Sequence, residues 1–298
     1  MSNRLISVCI ASIGRASLRD TVEATLGCTL PESFAREIIV ADDSLTGEAA
    51  SLLSALSNSC EVRVVSSAAR NISMARNRAM AHATGEYLVF IDDDELPAAD
   101  WLEELVQLAE TSGADGVQGC VIGIYPSHAP AWARKLRPYD KTYGAAGQAI
   151  PVGSTCNLLL RRSSLTGRAL EFNPALGRTG GEDTDLCFRL TASGGTIVCS
   201  TTATVYEHVP LERLARQHLM RRYARGGHTY ASTVLAHQGR LRRTLAVGKA
   251  LGLAGAYAVM AIASWRVVPA ASMRFTLRLS GNVGKLLFFM GRRAWNLY

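Results

Sequence analysis

Four carboxylates in succession, Asp92-Asp93-Asp94-Glu95, close the run Glu86-Tyr-Leu-Val-Phe-Ile-Asp-Asp-Asp-Glu-Leu-Pro97. Such neighbours repel one another unless water or a cation neutralises them. Side chains of extended chain alternate between faces, so Asp92 and Asp94 are expected to point the same way. Two carboxylates aimed at one point suit Mg²⁺ or Mn²⁺, which completes its shell with water and phosphate oxygens. The competing reading is a solvated acidic turn before a helix starting near Pro97, where acids are also favoured. A second acidic group, Asp42-Asp43-Ser44, follows the apolar run Glu37–Val40. A third lies in Arg178-Thr-Gly-Gly-Glu-Asp-Thr-Asp185. There Gly180 and Gly181 let backbone approach a ligand closely. Glu182 and Asp183 sit in the first turn of the helix that follows, a placement that capping alone would also favour.

The elements that must position these groups alternate. Strands are expected at Leu5–Ile10, Glu37–Val40, Glu61–Val65, Glu86–Ile91 and Val117–Tyr125. Helices are expected near 17–28, 47–57, 71–83 and 98–111. This is an α/β pattern with a parallel sheet. Such sheets bind ligands beyond the carboxyl ends of their strands, where Asp42/Asp43, Asp92/Asp94 and the loop Ser12–Arg15 fall. Residues 126–150, with three prolines, read as irregular: a mobile loop over a site, or an ordinary surface excursion. Ser154–Leu160, Thr196–Cys199 and Ala203–Tyr206 read as strands, with a helix running to about Ala192 between the first two and His208 after the last.

The net charge of +7 hides a division. Residues 1–210 carry 17 Lys/Arg and 24 Asp/Glu, whereas 211–298 carry 15 Lys/Arg and one acid, Glu212. Basic residues interleaved with apolar runs favour an anionic membrane surface over nucleic acid. Leu211–His237 reads as a basic helix. Ala250–Trp265 has no charge and just reaches spanning length with its flanks; a surface-lying attachment or a buried soluble helix are the other readings. A second apolar piece, Val283–Met290, is too short to span. The seven cysteines form no CxxC pair, and Cys9, Cys120 and Cys199 sit in apolar runs, which points to buried thiols and a reducing compartment. The N-terminus carries no signal-peptide pattern.

Taken together and in order, Val8–Arg15, Asp42-Asp43-Ser44, Ala75-Arg76-Asn77, Ile91-Asp-Asp-Asp94 and Gly181-Glu-Asp183 resemble the motifs of the family 2 inverting glycosyltransferases, nucleotide-sugar enzymes of the GT-A fold. The resemblance covers about residues 5–210. With Tyr206-Glu-His208 and the stretch Arg221–His228, the chain looks closest to bacterial glucosyltransferases that assemble succinoglycan-type exopolysaccharide. The resemblance implies a GT-A domain over 1–210, with a mostly parallel central sheet flanked by helices, and a basic, apolar helical region over 211–298.

It also implies roles. Asp42 or Asp43 accepts a hydrogen bond from the nucleotide base, and the loop Ala11–Arg15, with Ser12, lines the base and ribose. Arg76 lies on the pyrophosphate side and Asp93 near the ribose. Asp92 and Asp94 match the metal-binding Asp-X-Asp, for Mg²⁺ or Mn²⁺. Asp183 matches the catalytic base, with Glu182 supporting the acceptor. His208 is a further metal ligand, as in some relatives, or a plain surface histidine. The family commonly has Pro and Tyr where this chain has Ala11 and Ile13. The Gln-X-X-Arg-Trp motif of processive members is absent, which favours one sugar per encounter. The expected reaction moves glucose from UDP-glucose to a lipid-linked oligosaccharide at the cytoplasmic face of a bacterial inner membrane. The alternatives are a catalytically idle scaffold of the same fold and a nucleotidyltransferase. The former would be free to lose Asp42, Asp92, Asp94 and Asp183. The latter would show a Gly-rich basic loop in place of Ile10–Arg15.

Overall fold

The computed structural model describes residues 4–56 and 61–292. In chain order the elements are β1 Arg4–Ser12, α1 Ser17–Leu26, β2 Phe34–Asp42, α2 Glu48–Leu52, β3 Val62–Ser66, α3 Ile72–His82, β4 Tyr87–Phe90, β5 Glu95–Pro97, α4 Trp101–Ser112, β6 Gly116–Ile124, α5 Ala131–Leu136, β7 Ala149–Ile150, β8 Leu158–Arg161, α6 Arg162–Thr166, α7 Glu182–Ala192, β9 Ile197–His208, α8 Arg216–Thr233, α9 Arg240–Ser264 and α10 Pro269–Phe289. Of the described residues, those up to Ile122 with Asp140–His208 form one compact unit, and Gly123–Tyr139 with those from Val209 form another.

The first unit is built on a single mixed sheet in the order β3-β2-β1-β4-β8-β6-β9-β5, with β7 on β9. The pairs β1–β2, β2–β3 and β1–β4 are parallel. Strand β8 is antiparallel to both β4 and β6. β6 therefore runs with β4, as the alternation requires, and β8 is inserted between them against the grain. Alternate residues of β1 feed two apolar layers. Ile6, Val8 and Ile10 pack with α1 and α4 through Leu18, Val22, Trp101 and Leu105. Cys9 faces the other layer, with Ala75 and Ala79 of α3 and Leu186 and Leu190 of α7. Burial on both faces is why these strands read as unbroken apolar runs.

Several expected elements differ. The helix expected over Leu211–His237 is α8, with a 3₁₀ turn before it at Leu211–Leu214 and another after it at Leu235–His237. The second helix stops at Leu52 rather than continuing; its expected end at Ser57 lies outside the described residues. Thr155–Asn157 form a 3₁₀ turn before β8. The cause is Asn157, fully buried, whose side chain accepts from the Trp101 indole and donates to the carbonyls of Cys120 and Ala203. The two strands expected at 196–199 and 203–206 are one, β9, continuous through the polar Ser200-Thr201-Thr202, where Ser200 Oγ accepts from the Thr202 and Ala203 amides. The stretch 126–150 is not irregular throughout, since it contains α5 and β7.

In the second unit α8 and α10 touch backbone to backbone. A Cβ on Gly227 would stand 1.8 Å from the Gly281 carbonyl oxygen, and one on Gly284 1.8 Å from that of Ala224. Small residues at such crossings are what lets helices approach closely. Gly284→Ala is expected to cost about 1–3 kcal/mol through overpacking. Gly255→Ala, where nothing lies within 4 Å of the added carbon, should instead gain about 0.5–1 kcal/mol of helix propensity. Urea midpoints of the two variants check this contrast. Helix α9 begins ten residues before the apolar run and spans 25, long and apolar enough to cross a membrane and almost wholly unburied along its apolar stretch. Leu241, Leu245, Leu251, Val259 and Ile262 are all exposed on it.

Candidate active site

The parallel strands bring their carboxyl ends to one rim. Ser12, Asp42 and Ser66 lie in one row of the ladder. Phe90 pairs with Cys9, so the acidic run leaves β4 level with the end of β1. Asp93, buried, is tied there: Ser12 Oγ donates to its Oδ2 at 2.6 Å, and Arg15 Nη1 donates to its Oδ1 at 3.0 Å and to Asp94 Oδ2 at 3.2 Å. Burial pushes the Asp93 carboxyl up to about 6, against the pull of Ser12 and Arg15. Gly14 turns the loop with φ +83°, and a Cβ there would meet that of Glu48 in α2 at 2.3 Å; only glycine fits both demands. Ala11 is half-buried and packs against the second apolar layer.

The segment Ala75-Arg76-Asn77 has three separate tasks on α3. Ala75 is fully buried against the sheet. Asn77 exchanges two 2.8 Å hydrogen bonds with the backbone of Phe172, clamping the chain that leads to α7. Asn71 caps α3 through the Met74 amide and donates to the Pro174 carbonyl. Arg76, 6% exposed at its side chain, donates from Nη1 to Glu182 Oε1 at 2.5 Å and from Nη2 to Asp92 Oδ1 at 3.1 Å. Its guanidinium lies 5.7 Å from the Phe172 ring centre. Burial pulls its pKa down, but Asp92, Glu182 and Asp183 outweigh that and the net shift is upward.

Glu182 and Asp183 begin α7 after Gly180 and Gly181, whose φ values are +82° and +98°. Glu182 is buried; its Oε2 has no hydrogen-bond partner. Burial and the Asp183 charge raise its pKa against Arg76. Asp183 is half-buried, and its Oδ1 accepts from the Thr184 amide at 2.7 Å. The structure thus forms two ion-pair groups at one rim, Arg15 with Asp93 and Asp94 and Arg76 with Asp92 and Glu182, with Ser12 bonded to the first and Asp183 next in chain to the second.

Asp42 and Asp43 are engaged by the protein itself. Asp42 accepts from the Ser44 amide and hydroxyl and from the Ala50 amide. Asp43 accepts from the amides of Ala69 and Asn71. Ala68 and Arg70 take positive φ values of 49° and 46° beside them, a strain that non-glycine residues hold only where the surroundings impose it.

The extended-chain argument for Asp92 and Asp94 does not apply. The chain turns at Asp93-Asp94, with the Glu95 amide donating to the Asp92 carbonyl at 3.3 Å, and the two carboxylates meet different arginines. Among the described residues no group of three or more His, Cys, Asp or Glu is set to hold a metal. His208 is exposed at the end of β9. There Glu207 pairs with Glu95, so the register brings His208 towards the level of Asp94.

Two residues at the site were unassigned by the sequence. Glu95, fully buried, accepts from the Asp92 amide at 3.0 Å, and burial followed by the Asp92 charge raises its pKa well above the carboxylate range. Its place in the acidic run was the available signal. Tyr143 is raised by burial, by Cys156 and by the Asp183 charge, which places its phenol within electrostatic reach of Asp183. Nothing in the stretch around it marked it out.

Comparison with known proteins agrees with this architecture. Solved structures of S. aureus TarS 1-349 superpose along nearly the whole chain. The complex with UDP-GlcNAc gives a TM-score of 0.56 at 12% identity, covering 98% of this chain and 93% of that one. The complex with UDP gives 0.52 at 13% identity, covering 97% and 93%. The fold is that of the GT-A glycosyltransferases. The family model described as glycosyl transferase family 2 matches residues 7–167. The succinoglycan biosynthesis protein ExoM of Rhizobium meliloti (strain 1021) is 33% identical over 299 residues, 98% of this chain and 95% of ExoM. The UDP-Glc:alpha-D-GlcNAc-diphosphoundecaprenol beta-1,3-glucosyltransferase WfaP of Escherichia coli is 27% identical over 108 residues, 36% of this chain and 42% of WfaP. The chain belongs to glycosyl transferase family 2, and it is a glycosyltransferase.

Proposed function

We propose that this glycosyltransferase moves a single sugar, glucose from UDP-glucose, with inversion onto a lipid-linked oligosaccharide during synthesis of a bacterial surface polysaccharide. The observation that carries this reading is the bridge Asp92–Arg76–Glu182, buried at Arg76 and Glu182, which holds the acidic run and the start of α7 in one frame. The names of ExoM and WfaP supply the substrate classes by analogy.

In this reading Asp183 takes the proton of the acceptor hydroxyl as it attacks the anomeric carbon, and a single displacement needs no covalent enzyme intermediate. Glu182 orients the acceptor. The loop Ala11–Arg15 and Asp93 line the ribose, Asp42 or Asp43 meets the base, and Arg76 attracts the diphosphate. The donor set Asp92, Asp94 and His208 has the hard oxygen and imidazole chemistry that suits Mg²⁺ or Mn²⁺, and two carboxylates already balanced by arginines are partly exposed to receive one. A bound ion would offset the charge of the departing nucleoside diphosphate. Asp94→Ala is expected to abolish the metal-dependent part of donor binding in calorimetry; unchanged donor affinity with Mn²⁺ would remove Asp94 from that role.

The sheet domain, to about residue 210, carries the chemistry, and the region after it attaches the enzyme to the cytoplasmic leaflet of the inner membrane. The basic excess and the exposed apolar length of α9 support this. Sedimentation after detergent-free expression tests it: a monomer left in the supernatant speaks against attachment. The central test is donor binding and slow hydrolysis across a panel of nucleotide sugars, with and without Mn²⁺. Metal-dependent binding of one UDP-sugar is expected. No binding to any donor by folded protein overturns the reading.

A further inference from the structure

Helices α8, α9 and α10 border an open cleft of ≈ 370 Å³ within the second unit, lined by both charged and apolar groups. Arg242 and Lys249, seven residues apart on α9, share one helical face with Leu245 and Leu253. Lys285 enters from α10, where its ammonium reaches Asn282 Oδ1 at 3.4 Å and lies 5.7 Å from the Tyr230 ring centre. No carboxylate lines the cleft, and the stretch 211–298 holds one acid in all, Glu212. Lys285, partly buried, and the exposed Arg242 and Lys249 therefore border one space with no carboxylate among its described lining residues. Burial, and then the Lys249 charge, lower the Lys285 pKa, which is the cost of that arrangement.

Such a cleft asks for a compact polyanion with an apolar continuation. A free phosphate would leave the leucine wall unused, and a singly charged headgroup would leave cations unbalanced. We propose that the cleft binds the diphosphate group of a membrane lipid, the isoprenoid-type diphosphate that carries the growing glycan, with Arg242, Lys249 and Lys285 on the phosphates and Leu245 and Leu253 along the first chain carbons. This deepens the acceptor reading above and rests on it. The exposed apolar side of α9 is the surface through which such a lipid would arrive from a bilayer.

The test uses the full chain and flotation with neutral vesicles carrying either a polyprenyl diphosphate or phosphatidylglycerol at equal total charge. Binding to the diphosphate vesicles is expected to exceed binding to the phosphatidylglycerol vesicles by about tenfold or more, and Lys249→Gln and Lys285→Gln are each expected to remove about tenfold of it, the scale of one charged hydrogen bond. Arg240→Gln removes a charge from the same helix outside the cleft and should leave the diphosphate preference intact. Equal losses in all three variants, or equal binding to both vesicle types, mean general attraction to an anionic surface and overturn the site. Inorganic diphosphate that binds as tightly as the lipid, with no vesicle present, overturns the lipid assignment. Donor hydrolysis by the unmodified chain is followed alongside. Its absence counts against the transferase reading, whereas lipid binding insensitive to the cleft variants counts against the cleft alone.

Discussion

Asp183→Asn is expected to lower the turnover number for sugar transfer by about 10²–10⁴-fold, the range of a lost general base, while donor affinity stays within a factor of two. Asn keeps the size of the side chain and an oxygen that can still accept from the Thr184 amide, as Asp183 Oδ1 does at 2.7 Å. The start of α7 should hold its shape. What is lost is the capacity to take a proton. The neighbour cannot substitute easily, because Glu182 is buried and its Oε1 is held by Arg76. Single-turnover transfer and donor calorimetry, run on the same preparation, separate the two effects. Retained turnover would remove Asp183 from the base role; a matching loss of donor affinity would show a structural one.

Arg76→Met should be the most destabilising single change at the rim, by about 3–5 kcal/mol, the cost of breaking a buried ion pair from one side. Its guanidinium balances Glu182 and Asp92 from a site with 6% side-chain exposure. Asp92, 39% exposed, can turn to water. Glu182, 8% exposed at its side chain and with one oxygen already unpartnered, cannot. Adding Glu182→Leu to Arg76→Met should therefore restore a large part of the lost stability without restoring activity. Urea unfolding of the two single variants and the double variant reads the coupling. Purely additive losses would show that the pair does not share a buried charge balance.

How much of this was written in the sequence differs by element. The strands β1, β2 and β4 were legible because burial on both faces leaves an apolar run, β3 because its valines alternate with exposed Arg63, and the acidic groups at the ends of β2 and β4 followed from strand direction alone. β9 read as two strands because Ser200, Thr201 and Thr202 break the apolar pattern, while the bonds from the Thr202 and Ala203 amides to Ser200 Oγ leave no trace in composition. The 3₁₀ turn before β8 depends on Asn157 finding Trp101, 56 residues away, a contact that local spacing does not encode. The site shows the same limit. Arg76 was placed near the diphosphate by resemblance, yet its partner Glu182 lies 106 residues further on. Asp42 and Asp43 read as ligand-facing acids, and the structure shows their oxygens already receiving amides, Asp42 from Ala50 of α2 and Asp43 from Ala69 and Asn71 before α3. The alternation that aimed Asp92 and Asp94 together assumed extended chain where the backbone turns.

All seven cysteines precede residue 200, and the six described ones are buried and unpaired. Burial also holds the thiols of Cys9 and Cys187 well above their ordinary pKa, and the thiolate is the species that reacts with alkylating reagents. Alkylation of those six is therefore a clock for opening of the sheet unit, while the helical unit, without a cysteine, is silent to it. A lipid or detergent that steadies the helices would leave the clock unchanged, and a nucleotide sugar bound at the rim would slow it. The chain thus carries its own means of assigning a ligand to one unit or the other, without a tag or a truncation.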